Sequence, residues 1–279
     1  MTDPIVLDGK AYAAHIRDRL KKKIVEKNLH PCLVVVTVGN DPASAVYVRN
    51  KFKACEEIGV ASRHIKLPEE ASEYEVNSIL NHLARDKTVH GIILQLPVPK
   101  HLDVRRLQAA IPPSKDVDGF GKDSYFTPCT PEGIMWLLEH YNIDVAGKHC
   151  VILGRSDIVG KPLAKQLLDY NATVSICHSG TPWTTRVALL MEADFVFSCV
   201  GQKDLVNAYD IKRGVVLVDV GINRDENGKM CGDINPKAYE RAAAYTPVPG
   251  GIGPMTVAML MNHVVLAAEM EEFVDVKDI

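Results

Sequence analysis

The sequence has no closely spaced cysteines. Its seven cysteines are an odd number, and the closest two, Cys129 and Cys150, are 21 residues apart. This spacing excludes CxxC metal knuckles, argues against a disulfide framework and favours reduced thiols in a cytoplasm. The ten histidines form no HxxxH or HxH pair, so a protein-bound catalytic metal is not indicated.

The sequence also lacks a strong excess of either charge. The net charge is −3, and the lysine run at 21–23 fits the solvent face of a helix, so nucleic-acid binding has little support. We expect neither a signal peptide nor an apolar run long enough to span a membrane. The 47% apolar and 24% charged residues are typical of a globular protein with one large or two ordinary domains.

The first half of the chain alternates between apolar runs and helical patterns. The continuous apolar runs at 33–38 and 90–95 are typical of strands buried on both faces, and a further strand is predicted at 62–67. Helices are predicted at 8–27, 42–58, 72–86 and 104–110. This alternation predicts a parallel sheet with crossover helices in a first domain, residues 1–120.

The second half repeats this alternation in a second domain, residues 142–254. Strands are predicted at 149–153, 173–177, 195–199, 215–219 and 245–249, and Asn227-Gly228 predicts a hairpin turn. A helix at 130–141 links the two domains, and a final helix at 255–272 is expected to pack on the first. The fold class is therefore α/β, with two lobes and a cleft between them.

The segment after the first buried strand places two reactive side chains on one helix. Asp41 suits the N-cap, Pro42 the first helical position and Gly59 the C-terminal stop, so Tyr47 and Lys51 lie one turn apart. The ring can stack on a flat substrate, and an amine desolvated in an apolar cleft is a usable acid or base. Taken alone, the pair fits an ordinary amphipathic helix with a surface lysine better.

The first turn of the second lobe resembles a dinucleotide-binding turn. Gly154 and Gly160 lie between a strand and a helix, where glycines and helix-start amides favour a pyrophosphate, although a plain tight turn has the same spacing. The next strand ends in Cys177-His178-Ser179, without the carboxylate usual in NAD sites. Arg155 can reach that end, unless it is a surface ion-pairing residue. A cation and a hydroxyl suit a 2′-phosphate, which favours NADP over NAD.

Seven motifs follow one another in a specific order. They are SAVYVRNK at 44–51, GIILQLP at 91–97, KDVDG at 115–119, PCTP at 128–131, GRSDIVGKP at 154–162, DVGIN at 219–223 and TPVPGGIGPMT at 246–256. On these motifs the chain resembles, nearly end to end, the bifunctional methylenetetrahydrofolate dehydrogenase/cyclohydrolase family.

The resemblance implies two reactions on tetrahydrofolate derivatives in one-carbon metabolism and purine biosynthesis. NADP oxidises 5,10-methylenetetrahydrofolate to 5,10-methenyltetrahydrofolate, and water then opens the product to 10-formyltetrahydrofolate. An N-terminal catalytic domain, a C-terminal Rossmann-like NADP-binding domain and a homodimer formed through the second lobe are expected with it.

The resemblance also assigns roles to individual residues. Lys51 is the catalytic lysine of the hydrolytic step, Tyr47 stacks on the folate, and Gln95 hydrogen-bonds Lys51. Asp118 binds the pterin, whose edge offers two parallel donors that suit one carboxylate. Further substrate contacts are expected at Pro249 and Gly253. The expected NADP contacts are Gly154, Arg155, Ser156, Ile158, Ser179, Ile222 and Thr130.

Two segments depart from the family pattern, and two other functions remain open. Asp157 stands where the family often has asparagine, and residues 180–186 replace a basic loop, which leaves the strength of the NADP preference open. The spacing of Tyr47 and Lys51 also occurs in short-chain dehydrogenases, but there the dinucleotide fold precedes the pair. A non-catalytic NADP- or folate-binding module would need no hydride geometry.

Overall fold

The computed structural model describes residues 3–275, in which helices and strands alternate. The helices are α1 (Gly9–Glu26), α2 (Pro42–Ile58), α3 (Glu73–Arg85), α4 (Val104–Gln108), α5 (Cys129–His140), α6 (Gly160–Asp169), α7 (Trp183–Glu192) and α8 (Ile252–Asp275). The strands are β1 (Ile5–Val6), β2 (Cys32–Val38), β3 (Ala61–Leu67), β4 (Gly91–Leu94), β5 (His149–Leu153), β6 (Thr173–Cys177), β7 (Phe195–Ser198), β8 (Val215–Asp219), β9 (Asn223–Arg224), β10 (Met230–Cys231) and β11 (Ala242–Tyr245).

These elements form two compact units. The N-terminal unit contains residues 14–129 and the described residues from Val257 onward, and the C-terminal unit contains the described residues up to Ala13 together with 130–256. The boundaries expected from the sequence, 1–120 and 142–254, therefore differ from these at the start of the chain and at the linking helix.

The N-terminal unit is built on a three-stranded parallel sheet in the order β3-β2-β4. The central strand β2 is almost wholly buried, as its continuous apolar run predicts. One face packs on α3, whose Val76 and Leu80 belong to the same apolar core as Val34 and Leu94. The carboxyl ends of β2 and β4 meet at one edge of the sheet, where ligands bind in open α/β folds.

The predicted caps are present in this unit. The Asp41 side chain accepts a hydrogen bond from Ser44 N at 2.7 Å, and Gly59 ends α2 with a φ of 87°. Helix α3, predicted from residue 72, begins with a capping box between Ser72 and Glu75. The start and end of α2 are therefore defined by local sequence, which fixes where Tyr47 and Lys51 fall on it.

The C-terminal unit is built on a six-stranded parallel sheet in the order β1-β11-β8-β7-β5-β6. Its core contains Val151, Val196 and Leu217 from neighbouring strands. The edge strand β1 pairs with β11, so the start of the chain belongs to this sheet. A two-residue strand carries no pattern of its own, and its partner lies about 240 residues away, which explains the difference in the expected boundary.

Several predicted boundaries were wrong, and three of them bear on predicted site residues. The last strand is Ala242–Tyr245 rather than 245–249, because prolines at 247 and 249 cannot donate to a strand ladder and Gly250 turns the chain with a φ of 112°. Helix α8 begins at Ile252, before the predicted start, and α5 begins at Cys129, so Thr130 lies inside it. The hairpin turn is confirmed, since β9 and β10 are antiparallel neighbours.

The expectation that no apolar run reaches the length of a membrane span was also wrong. Within the described residues, the segment Ile252–Glu271 of α8 is long and apolar enough, with a mean hydropathy of 1.3. However, 61% of this window is buried within the fold. Burial of this kind is typical of a core helix, which explains its composition without a membrane.

Candidate active site

Three predicted site residues of the N-terminal unit lie together at the carboxyl edge of its sheet. Lys51 Nζ donates a hydrogen bond to Gln95 Oε1 at 3.1 Å and lies 3.9 Å from Asp118 Oδ1. The side chains of Lys51 and Asp118 are 15% and 18% exposed, so their charges are largely shielded from water. An ammonium held between an amide and a carboxylate, yet still open to one side, can contact a bound ligand.

Main-chain contacts fix the orientation of Gln95. Its Nε2 donates to Leu96 O at 2.8 Å, which leaves Oε1 as the atom that faces Lys51. Ser44 Oγ donates to the same carbonyl at 3.0 Å. The first turn of α2 is thereby tied to the end of β4. Ser44 was not among the predicted site residues.

The segment that carries Asp118 is fixed against β4 and α8. Ile92 N donates to Lys115 O at 2.9 Å, and a Cβ at Gly91 would lie 2.9 Å from Val117, so glycine permits the close approach. From α8, the His263 imidazole donates from Nδ1 to Val117 O at 2.8 Å. His263 was not predicted, since a single histidine in an apolar helix gives no signal of this contact.

The two ionisable neighbours of Asp118 in this motif have structural partners. The Lys115 ammonium donates to Asp86 O at 2.8 Å, and its burial lowers the pKa. Burial raises the pKa of Asp116, partly offset by the hydrogen bond that its carboxylate accepts from Gly121 N. Asp118 is therefore the carboxylate of this motif that faces Lys51 and remains available to a ligand.

Tyr47 lies one turn before Lys51 on α2, as predicted. Its side chain is 46% exposed, which is high for an aromatic residue so near a partly buried ion pair. An exposed ring beside a shielded ammonium provides a flat apolar surface next to a charge, which suits an aromatic ligand.

In the C-terminal unit, two glycines let the turn after β5 pack closely. Gly154 has a φ of 111°, and a Cβ on it would lie 2.7 Å from Cys199 O. A Cβ on Gly160 would lie 2.4 Å from Gly154 O. The expectation of free amides at the helix start needs correction, because Ser156 Oγ accepts hydrogen bonds from Val159 N and Gly160 N.

Arg155 and Ser179 follow neighbouring strand ends. The register of β5 and β6 pairs Leu153 with Cys177, and each of the two residues lies two positions beyond its strand. Both side chains are exposed, and no carboxylate in residues 3–275 pairs with Arg155. This cation and hydroxyl fit the 2′-phosphate of NADP. Asp157 forms an ion pair with Lys161 at 2.6 Å, so its charge is countered locally.

The remaining predicted contacts all lie in the C-terminal unit. Ile158 and Ile222 are 38% and 49% exposed in the segments that follow β5 and β8, where apolar side chains can cover a ring. Thr130 Oγ1 lies 2.9 Å from Thr256 Oγ1, so its hydroxyl already has a partner. Pro249 and Gly253 are exposed near the start of α8.

Comparisons with known proteins match both halves of the chain to one family. Residues 7–118 match the catalytic domain, and residues 128–272 the NAD(P)-binding domain, of tetrahydrofolate dehydrogenase/cyclohydrolase. The chain is 47% identical over 278 residues to the bifunctional protein FolD of Magnetococcus marinus, with 95% of this chain and 97% of that protein covered.

Solved structures give the same result. The bifunctional FolD enzyme of Campylobacter jejuni is 43% identical with a TM-score of 0.92, over 95% of this chain and 98% of that one. The Trypanosoma brucei dehydrogenase-cyclohydrolase, solved with NADP and an inhibitor, is 32% identical with a TM-score of 0.91. The match covers 97% of this chain and 99% of that one. The chain therefore belongs to the tetrahydrofolate dehydrogenase/cyclohydrolase family.

Proposed function

We propose that the N-terminal unit binds the tetrahydrofolate substrates and catalyses the hydrolytic step, and that the C-terminal unit binds NADP. The enzyme oxidises 5,10-methylenetetrahydrofolate to 5,10-methenyltetrahydrofolate with NADP and hydrolyses the product to 10-formyltetrahydrofolate. The observation that supports this division is the position of Lys51, held by Gln95 and Asp118 within one unit.

Tyr47 and Asp118 are the proposed folate contacts. The exposed Tyr47 ring stacks on the folate, and the Asp118 carboxylate accepts two hydrogen bonds from the N–H and amino groups of the pterin edge. Because Lys51 lies 3.9 Å from Asp118, a folate bound to this carboxylate is held beside the ammonium. Pro249 and Gly253 remain proposed contacts of the substrate, and Thr130 remains a proposed contact of NADP.

Hydrolysis is the step that needs a proton carrier. Water attacks the methenyl carbon and forms a C–O bond, the bond from that carbon to N5 breaks, and N5 takes up a proton while the water gives up its protons. Lys51 Nζ is proposed to hold the water and transfer a proton, with Gln95 Oε1 fixing its direction. The net reaction releases one proton.

Oxidation needs orientation rather than an acid or a base. NADP+, when bound, would supply the acceptor for the hydride of the methylene carbon. Arg155 and Ser179 are proposed to hold its 2′-phosphate, and the turn from Gly154 to Gly160 its diphosphate, with Ser156 positioning the turn. Ile158 and Ile222 provide apolar contacts at the same edge of the sheet.

A two-signal assay tests the proposed function. Purified enzyme receives 5,10-methylenetetrahydrofolate with either NADP+ or NAD+, and reduced-cofactor formation and methenyl absorbance are followed separately. We expect NADPH to appear, and we expect the methenyl absorbance that forms with it to decay faster than that of methenyltetrahydrofolate kept without enzyme. Tight NADP+ binding without NADPH formation would instead indicate a binding module.

Arg155→Ala is expected to narrow the preference for NADP over NAD. The variant loses the cation proposed for the 2′-phosphate, so the efficiency with NADP+ should fall about tenfold while that with NAD+ changes little. Steady-state kinetics with both cofactors measure the ratio. Lys165→Ala, which removes an exposed cation from α6 of the same unit, is the control. An unaltered ratio in Arg155→Ala would count against this role.

We also propose a homodimer formed through the C-terminal unit. In the described residues, β6 is an edge strand of the six-stranded sheet and presents Ile176, 38% exposed. Helix α6 packs on β6 and ends near Leu168 and Tyr170, which are 58% and 53% exposed. Trp183, soon after β6, is 65% exposed. An unpaired edge flanked by apolar side chains suits antiparallel pairing with a second copy.

Ile176→Lys is expected to convert the dimer to a monomer. A lysine on an edge strand opposes pairing with another strand, because its charge would have to be buried at the interface. Sedimentation velocity at micromolar protein gives the mass directly. Val25→Lys, an equally drastic change at a 74% exposed valine of α1, should remain dimeric. A dimer of Ile176→Lys would place the interface elsewhere.

A cytoplasmic location is part of the proposal. All seven cysteines lie within the described residues, and none of them forms a disulfide there, which suits a reducing compartment. We propose small-molecule partners rather than nucleic acid or a membrane, in keeping with the net charge of −3. The product carries an activated formyl group, which suits a role in purine biosynthesis.

A further inference from the structure

The C-terminal unit contains a buried carboxylate with an unusual number of donors. Asp233 is 0% exposed. Five donors from two separate segments converge on its two oxygens. Those on Oδ2 are Ser198 Oγ at 2.9 Å, Val200 N at 2.9 Å and Gly201 N at 3.2 Å, and those on Oδ1 are Gln202 N at 2.8 Å and Asn223 Nδ2 at 2.9 Å.

Ser198 ends β7 and the three main-chain donors follow it, whereas Asn223 lies beyond the neighbouring strand β8, at the start of β9. The register pairs Ser198 with Asp219, so both loops leave the sheet at the same edge. In each segment, an exposed apolar side chain lies next to a residue that donates a hydrogen bond to Asp233: Val200 precedes Gly201, and Ile222 precedes Asn223. Val200 is 47% exposed and Ile222 is 49% exposed.

A second carboxylate fixes Asp233 itself. Asp219 is 1% exposed and accepts hydrogen bonds from Gly221 N, Asp233 N and Ile234 N at 2.8–3.0 Å. Its burial raises the pKa to about 6, against the effect of these N–H donors. Cβ atoms on Gly221 and Gly232 would lie 2.0 Å and 2.1 Å from the Asp233 and Asp219 carboxylates, so glycine is required at both positions.

The position of this pair relative to the cofactor follows from the strand order. Arg155 and Ser179, proposed for the 2′-phosphate, follow β5 and β6, while β7 and β8 lie on the other side of β5. A dinucleotide crosses the carboxyl edge of such a sheet with its diphosphate at the first turn. The half that carries nicotinamide then lies over the loops that Asp233 holds.

We propose that Asp233 is a positioning residue for the nicotinamide half of NADP, acting through the loops that carry Val200 and Ile222. This inference rests on the proposed function of the C-terminal unit. An ionised carboxylate is needed because it is an acceptor at both oxygens. An asparagine, in either orientation, would turn its NH2 group towards at least two of the five donors.

Asp233→Asn tests the proposal. We expect its Kd for NADP+, measured by calorimetry, and its KM for NADP+ to rise about tenfold or more, with kcat at saturating NADP+ less affected. Hydrolysis of methenyltetrahydrofolate supplied directly should keep its rate, because Lys51 belongs to the other unit. A merely structural role would lower both activities together with the folded fraction.

The matched control is Asp194→Asn. Asp194 also accepts a backbone N–H, from His149 at 2.9 Å, and a Lys212 hydrogen bond at 2.7 Å, but it precedes β7 at the opposite edge of the same sheet. Its NADP+ affinity should equal that of the wild type. If Asp233→Asn does not fold, Asn223→Ala removes one of the five donors and should raise the Kd by a smaller factor.

The outcomes separate this inference from the function on which it rests. Wild-type enzyme that does not bind NADP+ would refute the proposed function itself. If the wild type binds NADP+ and folded Asp233→Asn binds it with the same Kd, the positioning role alone is overturned. If Asp233→Asn does not fold, an unchanged Kd in Asn223→Ala has the same meaning.

Discussion

Replacing Lys51 with methionine is expected to slow methenyltetrahydrofolate hydrolysis by about a hundredfold or more, the usual effect of losing a general acid or base. Methionine keeps the length and packing of the lysine stem but has no group that can hold water or transfer a proton. Binding of NADP+ should not change, because the proposed cofactor residues belong to the C-terminal unit.

The measurement uses methenyltetrahydrofolate supplied directly, with the spontaneous rate subtracted. Lys53→Met is the control, since Lys53 is exposed on the same helix two residues further on. It should hydrolyse at the wild-type rate. Hydrolysis by Lys51→Met at that same rate would remove the lysine from the mechanism, whatever its contacts with Gln95 and Asp118.

Replacing Asp118 with asparagine is expected to weaken folate binding in both reactions. The pterin edge offers two donors, and an amide can meet only one of them with an acceptor. The loss of hydrogen bonds to a charged group, roughly 1.5–3 kcal/mol, corresponds to a rise in the KM for folate of about tenfold to a hundredfold. Asp123→Asn, an exposed aspartate a few residues further along, should leave the KM unchanged.

The two variants should differ in a way that separates their roles. Asp118→Asn is expected to raise the KM for methylenetetrahydrofolate in the dehydrogenase assay as well as the KM for methenyltetrahydrofolate. Lys51→Met should affect the hydrolytic step alone, because hydride transfer needs no acid or base. Equal folate affinity in Asp118→Asn and the wild type would contradict the pterin role.

Local sequence predicted the parts of the fold that local interactions determine. Asp41, Pro42 and Gly59 fix the ends of α2 through contacts within a few residues, so the placement of Tyr47 and Lys51 could be derived directly. The strand β1 could not, because its stability comes from pairing with β11 at the other end of the chain.

The same distinction applies to the candidate site. Gln95 and Asp118 were assigned through the family resemblance, and both lie beside Lys51 in the structure. The contacts of Ser44, His263 and Asp233 join segments far apart in sequence, and each residue type is common in structural roles. The glycines at 221 and 232 were the available signal for the buried carboxylates, but the sequence does not show what approaches them.

The most direct test of the Lys51 site is a crystal structure of the enzyme with NADP+ and a folate inhibitor. We predict that the pterin edge of the inhibitor binds the Asp118 carboxylate and that its ring system stacks on Tyr47. Lys51 Nζ should lie within hydrogen-bond distance of the place from which water attacks the reacting carbon. A folate bound away from Asp118, with the Lys51 ammonium facing bulk solvent, would contradict this assignment.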